Sequence, residues 1–357
     1  MALPIRVAAC HASPVFLSAR DTTSKAISLI ERAAKHKANL VVFPETYISA
    51  FPIWKSVYAD GDEIQAIRAT AKKAQVMVSI GISEKVRSSS ATLFNSNVLI
   101  GDQGEVLVHH RKLMPTFFEK LTWAPGDGHG LRVAETAYGK IGNLICGENT
   151  NPLARYSLMA QGEQIHISTW PAIWPTRVPG ISESQDQSNN HGESSVTKGA
   201  NYDNVAANRT RAAAHCFEAK CFGVLCSGAL GDDAVEIISE GSPHLRQALE
   251  YSQRGATMFL DPTGAPLQGF VVDGQTHEPN PTDFLQSTED ILYCDMNVED
   301  CIEGKQYHDV VGGYQRLDVF DLKVNRTRQY PVTFIESVGE SASQDQRINT
   351  EAKNQVD

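Results

Sequence analysis

The sequence predicts an α/β fold in which β-sheets are covered by helices, and two observations lead to it. Apolar runs typical of buried strands recur along the chain, and the first three are IRVAACHA, NLVVFPE and VMVSIGIS. Segments with helical spacing of apolar residues alternate with them, at 20–37, 62–75, 151–161 and 203–219. This alternation favours a single α/β domain, which we place at residues 1–335.

Each element has its own signal. The first helix places Ile27, Ile30 and Ala34 on one face, while Arg32 and Lys35 can reach water. NSNVLIG and EVLVHHRK form a predicted hairpin that turns at the sequence Gly-Asp-Gln-Gly. Later strands are predicted at YGKIGNLIC, QIHISTW, CFGVLCSG, ATMFLDPTGAPL and DILYCDMN. The polar composition of 176–204 predicts a long loop, and that of 336–357 predicts a disordered tail.

Composition excludes several classes of protein. The net charge of the 357 residues is −10, without a run of Lys or Arg, which argues against nucleic-acid binding. No stretch approaches the roughly 18 apolar residues of a membrane helix, and no signal peptide is recognised. We therefore expect a cytoplasmic protein without a membrane partner. The seven cysteines include no CxxC pair, so we expect free thiols.

Cys146 is the candidate nucleophile. It lies where the apolar strand IGNLIC meets a polar run and then a helix. A sharp turn there would push the thiol out of the sheet, and amides at the helix end could stabilise a developing anion. The alternative is a buried cysteine that packs as a small apolar residue.

Glu45 and Lys112 are candidates because each follows a strand. Partial burial at the mouth of the sheet would raise the pKa of Glu45 toward that of a general base, although a surface carboxylate fits equally. Lys112 could face an anion that develops on the substrate, or belong to a solvated basic patch. His109 and His110 are neighbours on a strand and point to opposite faces, so they make a poor metal pair.

Three segments together resemble the catalytic blocks of the nitrilase superfamily, and its fungal nitrilases in particular. They are VVFPE, HHRKLMPTFFEKLTWAPGDG and LICGENTNPLARYSLMAQGEQIHISTWP, within a resemblance that spans about 4–332. The resemblance implies a four-layer α-β-β-α sandwich. It also implies that no metal or organic cofactor is required.

The resemblance assigns roles to particular residues. Glu45 is implied as general base, Lys112 as catalytic lysine and Cys146 as nucleophile. Glu119 is implied to position the substrate and the lysine. Lys112 and the backbone amide of Gly147 are implied to hold the oxyanion, and Glu148 is implied to be structural.

Two features depart from the family pattern. Many relatives carry Trp where this chain has Gly147, which changes the wall of the pocket. The stretch between Trp54 and the helix at residue 62 is also shorter than in typical nitrilases.

The function implied is hydrolysis of organic nitriles to carboxylic acid and ammonia through a cysteine thioimidate and thioester, with amide as a possible by-product. Hydration of cyanide or hydrolysis of amides on the same triad are the alternatives, as is a catalytically silent member that forms filaments. The resemblance implies a homodimer that pairs through the helix at 151–161 and the helix at 203–219, with larger spirals as an extension. The apolar residues of 151–161 favour such a contact, and the alternative is that this helix packs only on its own sheet.

Overall fold

The fold is built from fifteen strands and seven α-helices in the part of the chain that a computed structural model describes, residues 2–48, 56–174, 203–330 and 332. The strands are β1 Ile5–His11, β2 Leu40–Val42, β3 Met77–Val86, β4 Ser89–Ile100, β5 Val106–Arg111, β6 Ala134–Thr136, β7 Gly139–Ile145, β8 Ile165–Trp170, β9 Phe222–Ser227, β10 Thr257–Leu260, β11 Pro266–Leu267, β12 Gly269–Val272, β13 Pro279–Thr282, β14 Phe284–Leu285 and β15 Asp290–Met296. The helices are α1 Ala19–Lys35, α2 Asp62–Ala74, α3 Pro152–Met159, α4 Asn204–Ala219, α5 Asp232–Ser239, α6 Pro243–Tyr251 and α7 Asp300–Lys305.

The strands form two sheets, and each sheet has three parallel strands at its centre. The first sheet has the order β13-β12-β15-β1-β2-β3-β4-β5, and the second has β11-β10-β9-β8-β7-β6, with β14 paired to β10. In each sheet three consecutive central strands run parallel, β1-β2-β3 in the first and β7-β8-β9 in the second. Parallel strands require crossover connections, and helices supply them.

Four layers follow from the way alternate residues of each strand face opposite sides. In β1, Ala8 and Cys10 pack with the apolar faces of α1 and α2, which include Ile30 and Ile64. Val7 and Ala9 of the same strand face the second sheet. A third cluster joins α3 and α4 to the outer side of that second sheet. The predicted α-β-β-α sandwich is therefore confirmed, with both sheets buried on both faces.

Most of the predicted elements are present. The four predicted helices correspond to α1–α4, and the predicted hairpin is β4 and β5, closed by a hydrogen bond of 2.9 Å from the Gly104 amide to the Gly101 carbonyl. The strand predicted at NLVVFPE is shorter and ends at Val42. Pro44 has no N–H to continue a strand ladder, so the chain turns away there.

Several elements were not predicted. They are α5, α6, α7 and the short strands β6, β12, β13 and β14. Asn204, the last residue of the predicted loop, is instead the first residue of α4, because the side chain of Asp203 caps that helix. The rest of this loop, the segment around Trp54 and the tail 336–357 lie outside the described residues.

The chain divides near the end of the described part. Residues up to Thr327 form one compact unit, and the few described residues beyond it have no regular secondary structure. The boundary at residue 335 stays a prediction. Among the described helices, none is long and apolar enough to cross a membrane.

Gly81 of β3 supports the turn that follows β2. A β-carbon at residue 81 would lie 2.3 Å from the carbonyl oxygen of Pro44 and 2.5 Å from the amide nitrogen of Thr46. The turn therefore rests directly on the glycine, and it carries Glu45.

We expect Gly81→Ala to lower the free energy of unfolding by about 1–3 kcal/mol, the usual cost of overpacking, because backbone atoms must move. The matched control is Gly274→Ala, since a β-carbon at this exposed glycine meets no atom within 4 Å. Urea unfolding of both variants checks this, and equal stabilities for the two variants would contradict it.

Candidate active site

The predicted site residues lie at strand ends that meet in the interior. Glu45 follows β2 and Lys112 follows β5 in the first sheet, while Cys146 follows β7 in the second sheet. Relative exposures are 7% for Glu45, 1% for Lys112 and 7% for Cys146. Since all three are buried, the alternatives of a surface carboxylate and a solvated lysine are wrong.

Lys112 lies between two carboxylates. Its Nζ donates hydrogen bonds of 2.8 Å to Oε1 of Glu45 and 2.8 Å to Oε2 of Glu119. Burial alone would lower the pKa of Lys112, but the nearby Cys146, Glu45 and Glu119 raise it well above its ordinary value. The lysine is therefore a fixed ammonium that holds both carboxylates.

The two oxygens of Glu45 have different surroundings. Oε1 accepts hydrogen bonds from Lys112 and, at 2.7 Å, from Nδ2 of Asn95. Oε2 is buried and has no hydrogen-bond partner among the described residues. Burial is the main cause of a raised pKa at Glu45, which Lys112 opposes. One oxygen is thus anchored and the other is free to accept a proton.

Cys146 begins a short 3₁₀ helix, Cys146–Thr150, directly after β7. Its φ of 49° is in the left-handed region, which a residue with a β-carbon adopts at a cost in energy. Sγ of Cys146 and carboxylate oxygens of Glu45 and Glu119 all lie within 4.8 Å of one another. Burial, followed by the charge of Glu45, raises the pKa of the Cys146 thiol, so the resting form is neutral.

Glu119 and Gly147 are linked through Thr116. Besides Lys112, Oε2 of Glu119 accepts a hydrogen bond of 2.7 Å from the amide of Thr116. A β-carbon at Gly147 would lie 2.7 Å from Oγ1 of Thr116. Thr116 therefore occupies space that a side chain at residue 147 would need, which gives the departure from the family pattern at Gly147 a physical reason.

Glu148 connects the two sheets beneath the site. Its carboxylate accepts hydrogen bonds from the amides of Leu113, at 2.5 Å, and Ile145, at 2.8 Å, and contacts Nε2 of His110 at 2.9 Å. Burial would raise the pKa of Glu148, but His110 and the two amides hold it below its ordinary value. This ionised carboxylate ties the neighbours of Lys112 and Cys146 together. His109 instead contacts Glu84, so the two adjacent histidines do point to opposite faces.

A second buried network supports the turn at Cys146. Nδ2 of Asn149 donates to the carbonyls of Cys146, at 3.0 Å, and Leu144, at 3.3 Å, so its Oδ1 faces Nε2 of His166 at 2.8 Å. Nδ1 of His166 lies 2.8 Å from one oxygen of Glu163, and Nε2 of a second histidine, His215, lies 2.6 Å from the other.

These contacts determine the protonation of the network. Both ring nitrogens of His166 face oxygen atoms, one of Glu163 and one of Asn149. Although burial would raise the pKa of Glu163, His166 and His215 hold it at about 2. Burial and the stacked ring of His166 lower the pKa of His215 to about 4, so His215 is neutral at pH 7.

Two clusters of the described residues have metal-ligand side chains, and neither is arranged for a cation. In the first, Glu45, Glu119 and Cys146, the ammonium of Lys112 already binds both carboxylates. In the second, Glu163, His166 and His215, one carboxylate oxygen of Glu163 lies 2.8 Å from Nδ1 of His166, and the other lies 2.6 Å from Nε2 of His215. Ligands of a tetrahedral metal with bonds of about 2.0 Å lie roughly 3.3 Å apart, so these are hydrogen-bond distances.

Two adjoining cavities reach the site. A cavity of about 40 Å³ is lined by Cys146, Gly147 and polar residues of α4. A larger cavity of about 270 Å³ has mainly apolar walls and contains Glu45 and Glu119. Pro171, Ile173 and Trp174 line both. The thiol and the carboxylates therefore face adjoining spaces that share part of their lining.

The fold and the site define a class of α-β-β-α sandwich proteins with a buried Glu-Lys-Cys cluster, and comparison with known proteins gives the family. The family model described as carbon-nitrogen hydrolase matches residues 6–273. The chain belongs to this family, and the resemblance recognised in the sequence is confirmed.

Known relatives cover nearly the whole chain. It is 29% identical over 340 residues to an arylacetonitrilase of Hypocrea virens, covering 90% of this chain and 92% of that protein. It is 28% identical over 357 residues to an aliphatic nitrilase of Rhodococcus rhodochrous, covering 95% and 84%. The crystal structure of Nit3 of Saccharomyces cerevisiae, from branch 10 of the nitrilase superfamily, superposes with a TM-score of 0.63 at 18% identity, covering 88% and 97%. The last comparison establishes the fold alone.

The sequence analysis missed several residues that hold the site. They are Asn95, Asn149, Glu163, His166 and His215. For His166 the signal was a polar side chain within a strand that is otherwise apolar, IHISTW, whereas His215 lies within helix α4 and had no such signal. Since buried polar groups need partners, such residues predict an internal network without identifying its members.

We expect the free energy of unfolding to fall as the pH is lowered from about 6.5 to about 4, in part because of His215. In this window the unfolded chain protonates the histidine and the folded chain does not, since the pKa of His215 is lowered from 6.5 to about 4. His215→Gln keeps a donor for Glu163 but removes this titration, so its loss of stability with acid should be smaller.

Urea unfolding at pH 7 and pH 5 measures the effect. The matched control is His244→Gln, at an exposed histidine of α6. The same pH dependence in His215→Gln as in the wild type would contradict the prediction.

Proposed function

We propose that this chain is a nitrilase that hydrolyses organic nitriles to carboxylic acids and ammonia, with Cys146 as nucleophile. The observation that carries the proposal is the buried cluster of a neutral thiol, an ammonium and two carboxylates, one of which keeps an unpartnered oxygen. The nitrilase relatives that match over most of the chain support the same substrate class.

The first half of the reaction uses Glu45 as a base. Its free Oε2 takes the thiol proton while Sγ of Cys146 bonds to the nitrile carbon. The nitrile nitrogen takes up that proton, which gives a thioimidate. A water that loses its proton to Glu45 then adds to the thioimidate carbon, and Lys112 with the Gly147 amide stabilises the tetrahedral intermediate.

The second half releases the products. Cleavage of the carbon–nitrogen bond, with protonation of the nitrogen, yields ammonia and leaves a thioester on Cys146. A second water attacks the thioester, the acid leaves, and the thiol recovers its proton. If the carbon–sulfur bond of the tetrahedral intermediate breaks first, the product is the amide.

The larger cavity favours nitriles whose hydrocarbon part is of appreciable size. The larger cavity contains the side chains of Phe118, Trp123 and Trp174, and the rings of Phe118 and Trp174 stack at 5.1 Å. Apolar walls of this kind favour burial of aliphatic or aromatic groups. Glu45 and Glu119 lie at the edge of the same space.

We expect Cys146→Ala to abolish nitrile hydrolysis, because no thioimidate can form. Glu45→Gln should lower kcat by about 10²–10⁴-fold through loss of the proton acceptor. Lys112→Met should lower it by at least about 10²–10³-fold, since it removes a donor to the intermediate. Acid, amide and ammonia are measured on a panel of aliphatic, aromatic and arylaceto-nitriles and cyanide.

Cys294→Ala, the same substitution at a buried cysteine of β15, is the matched control and should keep activity. Circular dichroism establishes that each variant is folded. Formamide from cyanide alone, or ammonia from amides alone, would reassign the chain to cyanide hydration or amide hydrolysis. Retention of more than a tenth of wild-type activity in Glu45→Gln would refute its role as base.

We also propose a homodimer formed by the outer surfaces of α3 and α4. The two helices lie side by side, joined by an ion pair of 2.8 Å between Arg155 and Glu218. Leu153 of α3 is 61% exposed and Phe217 of α4 is 44% exposed. Exposed apolar side chains also follow α7, at Tyr307, Tyr314, Leu317 and Phe320. Exposed apolar surface of this kind favours contact with another protein, here a second copy.

Light scattering should give at least twice the monomer mass of 39.0 kDa. Leu153→Asp should shift the protein toward monomer, because it places a charge in the contact. Leu3→Asp, at a residue with a similar exposure of 55%, is the control. A fully active wild-type species at the monomer mass would refute the proposal.

A further inference from the structure

Arg211 is an arginine of α4 that lines the same small cavity as Cys146 and Gly147. Its guanidinium lies over the ring of Trp170 at 4.6 Å from the centroid. Trp170 is 1% exposed and therefore fixed. The charge is thus held beside the nucleophile by a rigid surface.

Two hydrogen bonds orient this guanidinium further. Nε donates to the carbonyl of Ala207 at 3.0 Å, and Nη2 donates to Oδ1 of Asn208 at 2.8 Å. Asn208 is buried and also lines the cavity. Its amide oxygen is used by Arg211, so the Nδ2 group of Asn208 remains as a donor.

The guanidinium of Arg211 lacks a carboxylate partner within the described residues. No carboxylate there lies within 4.0 Å of Arg211, and neither Nη1 of Arg211 nor Nδ2 of Asn208 has an acceptor. By contrast, Arg155 on the adjacent helix is paired with Glu218. A partly buried cation and a free amide donor select an acceptor of negative charge.

We propose that Arg211 and Asn208 bind a carboxylate of the substrate, so that the preferred substrates are nitriles that also carry a carboxylate group. This inference rests on the proposed nitrilase function. The cavity of about 40 Å³ has room for a group of carboxylate size, since one water needs about 10–15 Å³. The guanidinium can pair with both oxygens of a carboxylate, whereas a neutral amide offers one acceptor.

A different role for Arg211 makes a different prediction. Glu45 and Glu119 together outweigh the single charge of Lys112, so Arg211 could act only by balancing charge near Cys146. Loss of that balance would change turnover of charged and neutral nitriles alike. If Arg211 instead recognises a carboxylate, its loss changes the ratio of turnover between charged and neutral nitriles.

The test uses matched pairs of nitriles, 3-cyanopropanoate with 3-cyanopropanamide and 3-cyanobenzoate with 3-cyanobenzamide. Consumption of each nitrile is followed by chromatography, so that hydrolysis of the amide group does not interfere. We expect wild-type kcat/KM to be higher for the carboxylate of at least one pair. In Arg211→Met the ratio of carboxylate to amide should fall by about 100-fold or more.

Arg209→Met is the matched control, because Arg209 is exposed on the same helix. It should keep the wild-type ratio. Arg211→Lys keeps the charge but loses the planar fork, so its ratio should lie between those of the wild type and Arg211→Met. An equal loss for both members of each pair in Arg211→Met would overturn the inference while leaving the nitrilase function intact.

Binding measured without turnover separates the two proposals. Calorimetry with Cys146→Ala should detect 3-cyanopropanoate or 3-cyanobenzoate, and the additional Arg211→Met substitution should remove that binding. This result would support the carboxylate site even if the wild type hydrolysed no nitrile. Absence of binding by both carboxylates, or equal binding in the two variants, would overturn it.

Discussion

The ammonium of Lys112, buried between Glu45 and Glu119, is the interaction on which the rest of the site depends. Two carboxylates this close would repel each other in a dry interior, and one would protonate. The lysine keeps both in place and leaves Oε2 of Glu45 without a partner. The same contact joins the ends of β2 and β5, which are not neighbours in their sheet. Chemistry and architecture therefore depend on one cation.

The nucleophile lies in the other sheet, so its position depends on links between layers. Glu148 supplies one link, because its carboxylate holds the amides of Leu113 and Ile145 at once. Asn149 supplies a second, since it joins the carbonyl of Cys146 to His166 and, through it, to the ionised carboxylate of Glu163. These groups are fully buried, and breaking one would leave uncompensated charge. The strained backbone at Cys146 is thus held from both sides.

The sequence allowed prediction of what depends on local pattern. Alternation of strands and helices predicted sheets covered by helices, and positions directly after strands made Glu45, Lys112 and Cys146 candidates. The four layers and the roles of these residues followed from the resemblance to the nitrilase superfamily. Two classes of feature could not be predicted from local sequence pattern. Helices α5 and α6 are short and lie between strands where no long apolar periodicity marks them. Contacts such as Asn95 with Glu45, or His215 with Glu163, join residues 50 and 52 positions apart, and only the sheet topology brings them together.

The distribution of charge around Cys146 limits how a substrate can enter. Glu45 and Glu119 border the larger cavity, so an anionic substituent placed there would meet two carboxylates and one ammonium. Arg211 borders the smaller cavity together with Cys146, and there the described residues offer it no counter-ion. A nitrile with a carboxylate would therefore be repelled in one orientation and attracted in the other. An apolar wall alone cannot distinguish the two ends of a molecule. Selection of orientation by charge would instead place the nitrile carbon at Sγ of Cys146 before Glu45 takes the thiol proton.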